Sequence, residues 1–212
     1  MLVETINKQY KNLKVSEATA THLKNLENAN TFTVTTGHQL NLFTGPLYFL
    51  YKIISTINLC KKLKKEYPDN NFVPLYWMAN EDHDFDEINF FNFKDKKVVW
   101  ERNSGGAVGE ISTEGLENVY ESFAKSLGSS PKAQKLKTLF KEAYLNHNNL
   151  TEATRFLAHS LFDVYGLIIL DANERTLKQL FVPQMKTEWF TNEATTEFVK
   201  TNAKINALSG KN

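Results

Sequence analysis

The stretch "TFTVTTGHQLNLFTGPLYFLYKII" (residues 31–54) decides the fold. Its opening, "TFTVTT" (31–36), is β-branched and aromatic and reads as a short strand. From Pro46 to about Lys65 the apolar residues Leu47, Leu50, Tyr51, Ile54 and Ile57 recur at helical spacing. Pro46 suits the first helical turn, where its missing N–H would be unpaired anyway. Strand and helix are joined by a segment longer than the roughly 4–6 residues a plain connection needs. Gly37 and Gly45 within it allow positive φ and let a ligand approach main-chain N–H groups. "YPDNN" (67–71) breaks the helix. "FVPLYWMA" (72–79) is a continuous apolar run, as expected of a strand covered on both faces. Residues 31–79 therefore spell a βαβ unit, which closes right-handed in nearly all folds.

The flanks extend this α/β reading. Residues 1–30 form N-terminal helices, with Ser16 as the N-cap of the second. Residues 31–100 hold the βαβ half and then a hairpin over 91–100, turning at Asp95-Lys96. Residues 101–165 are a loop and helical insertion: a glycine-rich segment (101–113) expected to be mobile, then helices over 114–127, 132–146 and 151–165. Residues 166–212 begin with Gly166 as a helix stop and "LIILD" (167–171) as a third core strand. One long amphipathic helix is expected from about Glu174 to Leu208. The chain starts inside a helical pattern and ends at "ALSGKN" with no closing element, which implies a truncated piece of a longer protein.

Composition narrows the function. Of 212 residues 42% are hydrophobic, with 15 Phe, so a packed core is available and a disordered chain is excluded. A net charge of +1 gives no global pull toward nucleic acid or an anionic membrane. The lysines at 61, 62, 64 and 65 read as a solvated helix face. Cys60 is the one cysteine, so an internal disulfide is impossible and it reads as a small core residue. Nothing resembles a membrane span or a signal peptide, and the expected location is the cytoplasm.

Ligands of open α/β sheets bind outside the carboxyl ends of the strands. Here those ends carry Gly37, His38 and Gln39; then Glu81, Asp82, His83 and Asp84; then Asp171. If the strands are parallel neighbours, the three sets face one crevice. The helix that starts near Pro46 turns its positive end to an anion, and Lys52 adds charge. The loop is neither GxxxxGK[ST] nor GxGxxG. A capped strand-to-helix turn remains the plain alternative. "EDHDFDE" (81–87) places six ionisable groups in seven positions. An EF-hand fails, with Glu87 and Phe93 where Gly and Glu are needed. A metal site using His83 with carboxylates, a solvated acidic loop and a substrate site remain open. We favour the last, with His83 and Asp84 holding polar groups and moving protons. Trp77 and Trp100 read as core.

Two long motifs, "TTGHQLNLFTGPLYFLYKIIS" (35–55) and "VPLYWMANEDHDFDEINF" (73–90), resemble the bacillithiol-biosynthesis cysteine-adding BshC family. The likeness extends more loosely through "GLIILDANERTLKQL" (166–180). It implies a Rossmann-like parallel sheet core with flanking helices, plus part of a helical and hairpin insertion. It implies a cytoplasmic ligase that adds cysteine to glucosaminyl-malate in the last step of bacillithiol synthesis, with ATP as cofactor and Mg possible. Small-molecule substrates are implied, with neither nucleic acid nor membrane as partner, and full-length members pair through a coiled coil missing here. By position it makes His83 and Asp84 catalytic. Gly37, Gln39, Thr44, Gly45, Pro46, Tyr48, Lys52, Glu81, Asp82, Glu87 and Asn89 become substrate- or nucleotide-binding; the strand-end reading adds His38 and Asp171, and no resident metal ligand is expected. His38 stands where the family pattern has Gln, and Asn41 where it has Gly. Asn tolerates left-handed backbone, so the turn is expected to survive. Rival readings are a metal-dependent hydrolase or nucleotidyltransferase using the 81–87 acids, and a non-catalytic binding fragment.

Overall fold

The computed structural model describes residues 1–11 and 13–210. Residues Met1–Asn173 form one compact unit and Glu174–Asn212 another. The first unit begins with α1 (Leu2–Tyr10) and α2 (Glu17–Asn25). Ser16 caps α2 as expected, its Oγ accepting from the Thr19 N–H at 3.2 Å. The same residue is fastened across the chain: its N–H donates to the Asp163 carboxylate at 2.8 Å and its hydroxyl to the Asp163 carbonyl at 2.7 Å.

Next come β1 (Thr31–His38), α3 (Leu47–Glu66) and β2 (Asn71–Met78). The short α4 (Phe85–Ile88) leads into a hairpin of β3 (Phe90–Phe93) and β4 (Lys96–Val99). Then α5 (Leu116–Leu127), α6 (Pro131–Leu145) and α7 (Leu150–Phe162) precede β5 (Ile168–Asp171). The three long-range strands form a parallel sheet in the order β1-β2-β5. Thr31 to His38 pair in step with Asn71 to Met78, and Leu75 to Met78 with Ile168 to Asp171. All three carboxyl ends therefore lie along one border of the sheet.

β1 is an edge strand. Its even-numbered carbonyls face β2, as the bonds from the Asn71 N–H to Asn30 and from the Ala79 N–H to His38 show. The odd-numbered Gly37 carbonyl faces outward, where the Lys52 ammonium takes it. A lysine so placed blunts a free edge.

Several sequence expectations need correction. The hairpin turns at Lys94-Asp95, one residue earlier than expected, with φ of 49° and 62°. Positive φ at both positions matches the twist of the flanking strands. The segment expected to be mobile is pinned in its second half. The Val108 N–H donates to the Asp82 carbonyl at 2.7 Å and the Gly109 N–H to the Asn80 carbonyl at 2.9 Å. Gly109 is required there: a Cβ would sit 2.3 Å from Thr151 Oγ1 and 2.9 Å from the Asn80 carbonyl oxygen. Trp77 is 42% exposed rather than core, while Trp100 is buried.

The second unit is three helices, not one: α8 (Arg175–Leu180), α9 (Val182–Thr191) and α10 (Glu193–Ser209). Pro183 opens α9, since proline cannot donate within a continuing helix. Asn192 takes left-handed φ/ψ of 51° and 39° between α9 and α10. Amphipathic periodicity runs across both breaks, which is why it suggested a single helix.

Candidate functional site

The loop after β1 owes its length to an anchor. Leu40, Leu42 and Phe43 are all buried. The Phe43 ring packs against Phe91, Phe123, Phe140 and Tyr144, with centroids 4.4–5.4 Å apart. Its N–H donates to the Tyr144 hydroxyl at 3.1 Å. This plug carries the chain through positive φ at Phe43 (48°), Thr44 (70°) and Gly45 (52°). Left-handed tolerance at Asn41 is not used; its φ/ψ of −60° and 135° is ordinary extended backbone. Nor is positive φ used at Gly37, which lies within β1 opposite Trp77.

Gly45 is the demanding glycine. A Cβ there would lie 2.3 Å from Asn41 Cβ and 2.8 Å from Asn41 Cγ. The backbone folds back on Asn41 and then enters α3 through Pro46, whose ψ of 148° makes it the N-cap rather than the first helical residue. The N–H groups of Leu47 and Tyr48 are the open donors of a helix start.

The motifs meet at a clamp. Gln39, just beyond β1, donates through Nε2 to Asp82 Oδ2 at 2.6 Å and to Glu87 Oε2 at 2.9 Å. Asp82 also accepts from the His83 and Asp84 N–H groups through Oδ1. The Gln39 bond foremost, with those N–H groups, holds the Asp82 carboxyl below the usual carboxylate range. Beside the clamp lies a cleft of about 850 Å³ bordered by His38, Gln39, Asn41, Gly45, Tyr48 and Glu87 among others. Burial pushes the His38 imidazole below its ordinary value. Its Nδ1 lies 3.2 Å from the Gln39 carbonyl.

A second polar system ties β2 to β5. Asn80, 2% exposed, donates to Asp171 Oδ1 at 2.6 Å and to Thr151 Oγ1 at 3.2 Å. Gln9 of α1 donates to the Asp171 carbonyl at 3.1 Å and accepts from the Asp171 N–H at 3.0 Å. Arg155 of α7 donates to Gln9 Oε1 at 2.8 Å, and its burial lowers its proton affinity. Sequence reasoning named Asp171 but missed Asn80, Gln9 and Arg155. An Asn directly before the acidic run was the available signal for Asn80; Gln9 and Arg155 lie far off in helices and offered none.

The remaining expected site residues are dispersed. The His83 side chain is 88% exposed, with Nδ1 3.8 Å from Asp82 Oδ1. Asp84 and Glu81 also face solvent. Asn89 closes α4, and its carbonyl accepts from the Trp100 N–H at 2.8 Å. Thr44 borders an apolar groove of about 560 Å³ among α3, α6 and α7 instead of the cleft. Lys52 stands on the outer side of β1, over the Tyr48 ring at 5.2 Å. Among the described residues, no three His, Cys, Asp or Glu side chains converge in a metal-binding arrangement. No described helix is long and apolar enough to cross a membrane.

With this geometry in view, comparison with known proteins is specific. A family model described as "Bacillithiol biosynthesis BshC, N-terminal Rossmann-like domain" matches residues 1–212. The "Putative cysteine ligase BshC" of Flavobacterium psychrophilum is 54% identical over 209 residues, covering 99% of this chain and 39% of the relative. The protein of that name from Flavobacterium johnsoniae is 59% identical over 187 residues, 88% of this chain and 35% of its own. The one from Bacillus cereus strain B4264 is 32% identical over 182 residues, 82% of this chain and 34% of its own. The chain thus spans well under half the length of these relatives.

Proposed function

The chain belongs to the bacillithiol-biosynthesis BshC family, as its N-terminal Rossmann-like domain, and from that premise we propose that it forms part of the site of a cysteine ligase. The reaction we assign is amide formation between the cysteine carboxylate and the amine of glucosaminyl-malate, the last step of bacillithiol synthesis. The observation that carries it is the clamp. Gln39 from one motif bonds Asp82 and Glu87 from the other, so both motifs build one wall of one cleft.

A carboxylate is a poor acyl donor, and ATP, with Mg as its counter-ion, supplies the activation that makes its oxygen a leaving group. The chain's own fit to an anion is the start of α3, where the Leu47 and Tyr48 N–H groups open on the cleft behind Gly45 and Pro46. They would hold a phosphate or the malyl carboxylate. His83 would take the proton released by the attacking amine, acting from the rim, with Asp84 beside it and Asp82 fixing the turn that carries both. Gln39 and Glu87 would orient the amine. Lys52 and Thr44, which point elsewhere, would shape the loop instead of touching substrate. Cytoplasmic location and pairing of full-length copies through a coiled coil complete the proposal.

The test mixes this chain, and separately a full-length relative-sized polypeptide carrying it, with ATP, cysteine and glucosaminyl-malate. Bacillithiol and nucleotide products are followed by mass spectrometry. Bacillithiol appearing in step with AMP or ADP supports the ligase. Product from the longer polypeptide alone makes this chain one part of a shared site. No product from either sinks the assignment.

A further inference from the structure

The two edges of the parallel sheet are finished differently. At β5 the outward ladder groups are answered by side chains. The Ile169 N–H donates to the Tyr10 hydroxyl at 2.6 Å, and its carbonyl accepts from Arg155 at 3.4 Å. The Asp171 N–H and carbonyl both bond the Gln9 amide, at 3.0 and 3.1 Å. Side chains of α1 and α7 thus close that border, and a further strand could enter there only by displacing them.

β1 is finished only at its end. Its odd-numbered groups point away from β2, and Lys52 takes the Gly37 carbonyl. Among the described residues no side chain answers the N–H or carbonyl groups of Thr33 and Thr35, and both residues are exposed. The flanks are apolar where a free edge is normally guarded by charge. On the α3 side a groove of about 370 Å³ runs past Thr35, walled by Tyr48, Tyr51 and Leu59, all exposed. On the opposite face Trp77, the partner of Gly37, is exposed too. Parallel sheets are almost always covered on both faces. Strand order points the same way. The sheet reads β1-β2-β5, and in doubly wound sheets of this order the first strand is central, with a later strand on its other side. This chain covers 39% and 35% of the two Flavobacterium relatives, so most of such a polypeptide lies outside it and can supply that strand.

We propose that the outer edge of β1 is an interface for one parallel β-strand, apolar on both faces, from the part of the longer polypeptide that lies outside this chain. Thr33 and Thr35 supply the ladder groups. Lys52 holds the Gly37 carbonyl and so ends the pairing there, leaving the carboxyl end of β1 apart from the new strand. A second copy of this chain fits less well, because a two-fold axis at this edge brings β1 in antiparallel, against the direction of the other strands. The inference rests on family membership and on the edge itself, not on the ligase reaction.

The test compares this chain with a full-length relative-sized polypeptide carrying it. Backbone hydrogen exchange is read at single residues by mass spectrometry. In this chain the Thr33 and Thr35 amides should exchange within about tenfold of an unstructured amide, while Ile169, bonded to Tyr10, is slow. In the longer polypeptide the two threonine amides should slow about a hundredfold or more, into the range of Ile169. Thr35→Pro gives an independent reading, since proline is tolerated at an edge position whose N–H faces outward and not in a central strand. It should leave the Tm of this chain within about 3 °C and lower that of the longer polypeptide by about 5 °C or more. Three results would each overturn the proposal. They are threonine amides as fast in the longer polypeptide as in this chain, equal destabilisation of the two proteins by Thr35→Pro, and protection that rises with the concentration of this chain alone, which marks a second copy. Neither readout involves turnover, so a longer polypeptide that makes no bacillithiol leaves this inference standing and removes only the ligase assignment.

Discussion

Replacing Gly45 by alanine tests the architecture of the site most directly. Gly45 has φ/ψ of 52° and −133°, a region open almost only to glycine. A side chain held there costs ~1–3 kcal/mol of backbone strain. The new Cβ also meets Asn41 Cβ at 2.3 Å. That atom is fixed to the backbone, so no flexible side-chain end can yield, and relief by backbone shifts costs a further ~1–3 kcal/mol. Against a typical stability of about 5–15 kcal/mol, a combined loss of ~2–6 kcal/mol is severe. For a domain of this size it lowers Tm by roughly 5–20 °C. Gly37→Ala is the matched control in the same motif. Its Cβ would meet nothing closer than the Trp77 carbonyl oxygen at 3.8 Å, and its φ is not positive. The cost there is expected to stay within about 0.5 kcal/mol. Urea melts of both variants decide the matter. A Gly45→Ala loss under ~1 kcal/mol, or a Gly37→Ala loss equal to it, refutes the reasoning, because the two glycines would then be serving the same purpose.

Three further outcomes are expected. Gln39→Leu should let the Asp82 carboxyl pKa rise toward its ordinary value, read by carbon-13 NMR titration. Asp82 is depressed in the folded state, so its contribution is present above the unfolded pKa and lost as pH falls through the folded one; the variant should lose less stability on acidification. Tyr10→Phe removes the buried hydroxyl that accepts from the Ile169 N–H at 2.6 Å and whose pKa burial pushes up to about 12. A loss of ~1–3 kcal/mol in urea melts is expected, with the Ile169 amide exchanging faster; unchanged exchange would count against it. Ser16→Ala should cost ~1–2 kcal/mol in the same melts, since the hydroxyl serves as cap of α2 and as donor to Asp163.

What was legible in the chain followed from locality. Strand, loop, helix and strand over 31–79 could be read because each is specified by its own neighbours in sequence: β-branched runs, a proline at a helix start, a turn cluster. Asn192 was less legible because its left-handed conformation carries no periodic mark, and Pro183 was outweighed by amphipathic spacing that continues through it. The convergence of Gly37–Gln39, Glu81–Asp84 and Asp171 on one border of the sheet was readable from the rule for parallel strands. Which side chains then touch was not. Gln39 meets Asp82 across 43 positions, and Phe43 meets Tyr144 across 101. His83 looked central on chemistry alone, because imidazole is the group best suited to proton transfer. The turn held by Asp82 Oδ1 sends it into solvent, and Gln39, less reactive, occupies the middle of the site.

The two polar systems along the sheet border differ in a way that bears on function. At β5, Asn80, Asp171, Gln9 and Arg155 bond one another below the surface, with Asn80 Oδ1 left buried without a partner, and Arg155 gives up much hydration to join them. Such a set stiffens its surroundings when satisfied, because any rearrangement strands a buried donor. It locks α1 to β5 and leaves little room for a ligand. At β1 the polar set borders the cleft, where Gln39 spends its Nε2 donors on Asp82 and Glu87. The buried set at β5 therefore serves as a frame, and the set at β1 is the one that faces a cleft. The cleft to test first is the one beside β1, even though the acidic run beyond β2 drew the eye in the sequence.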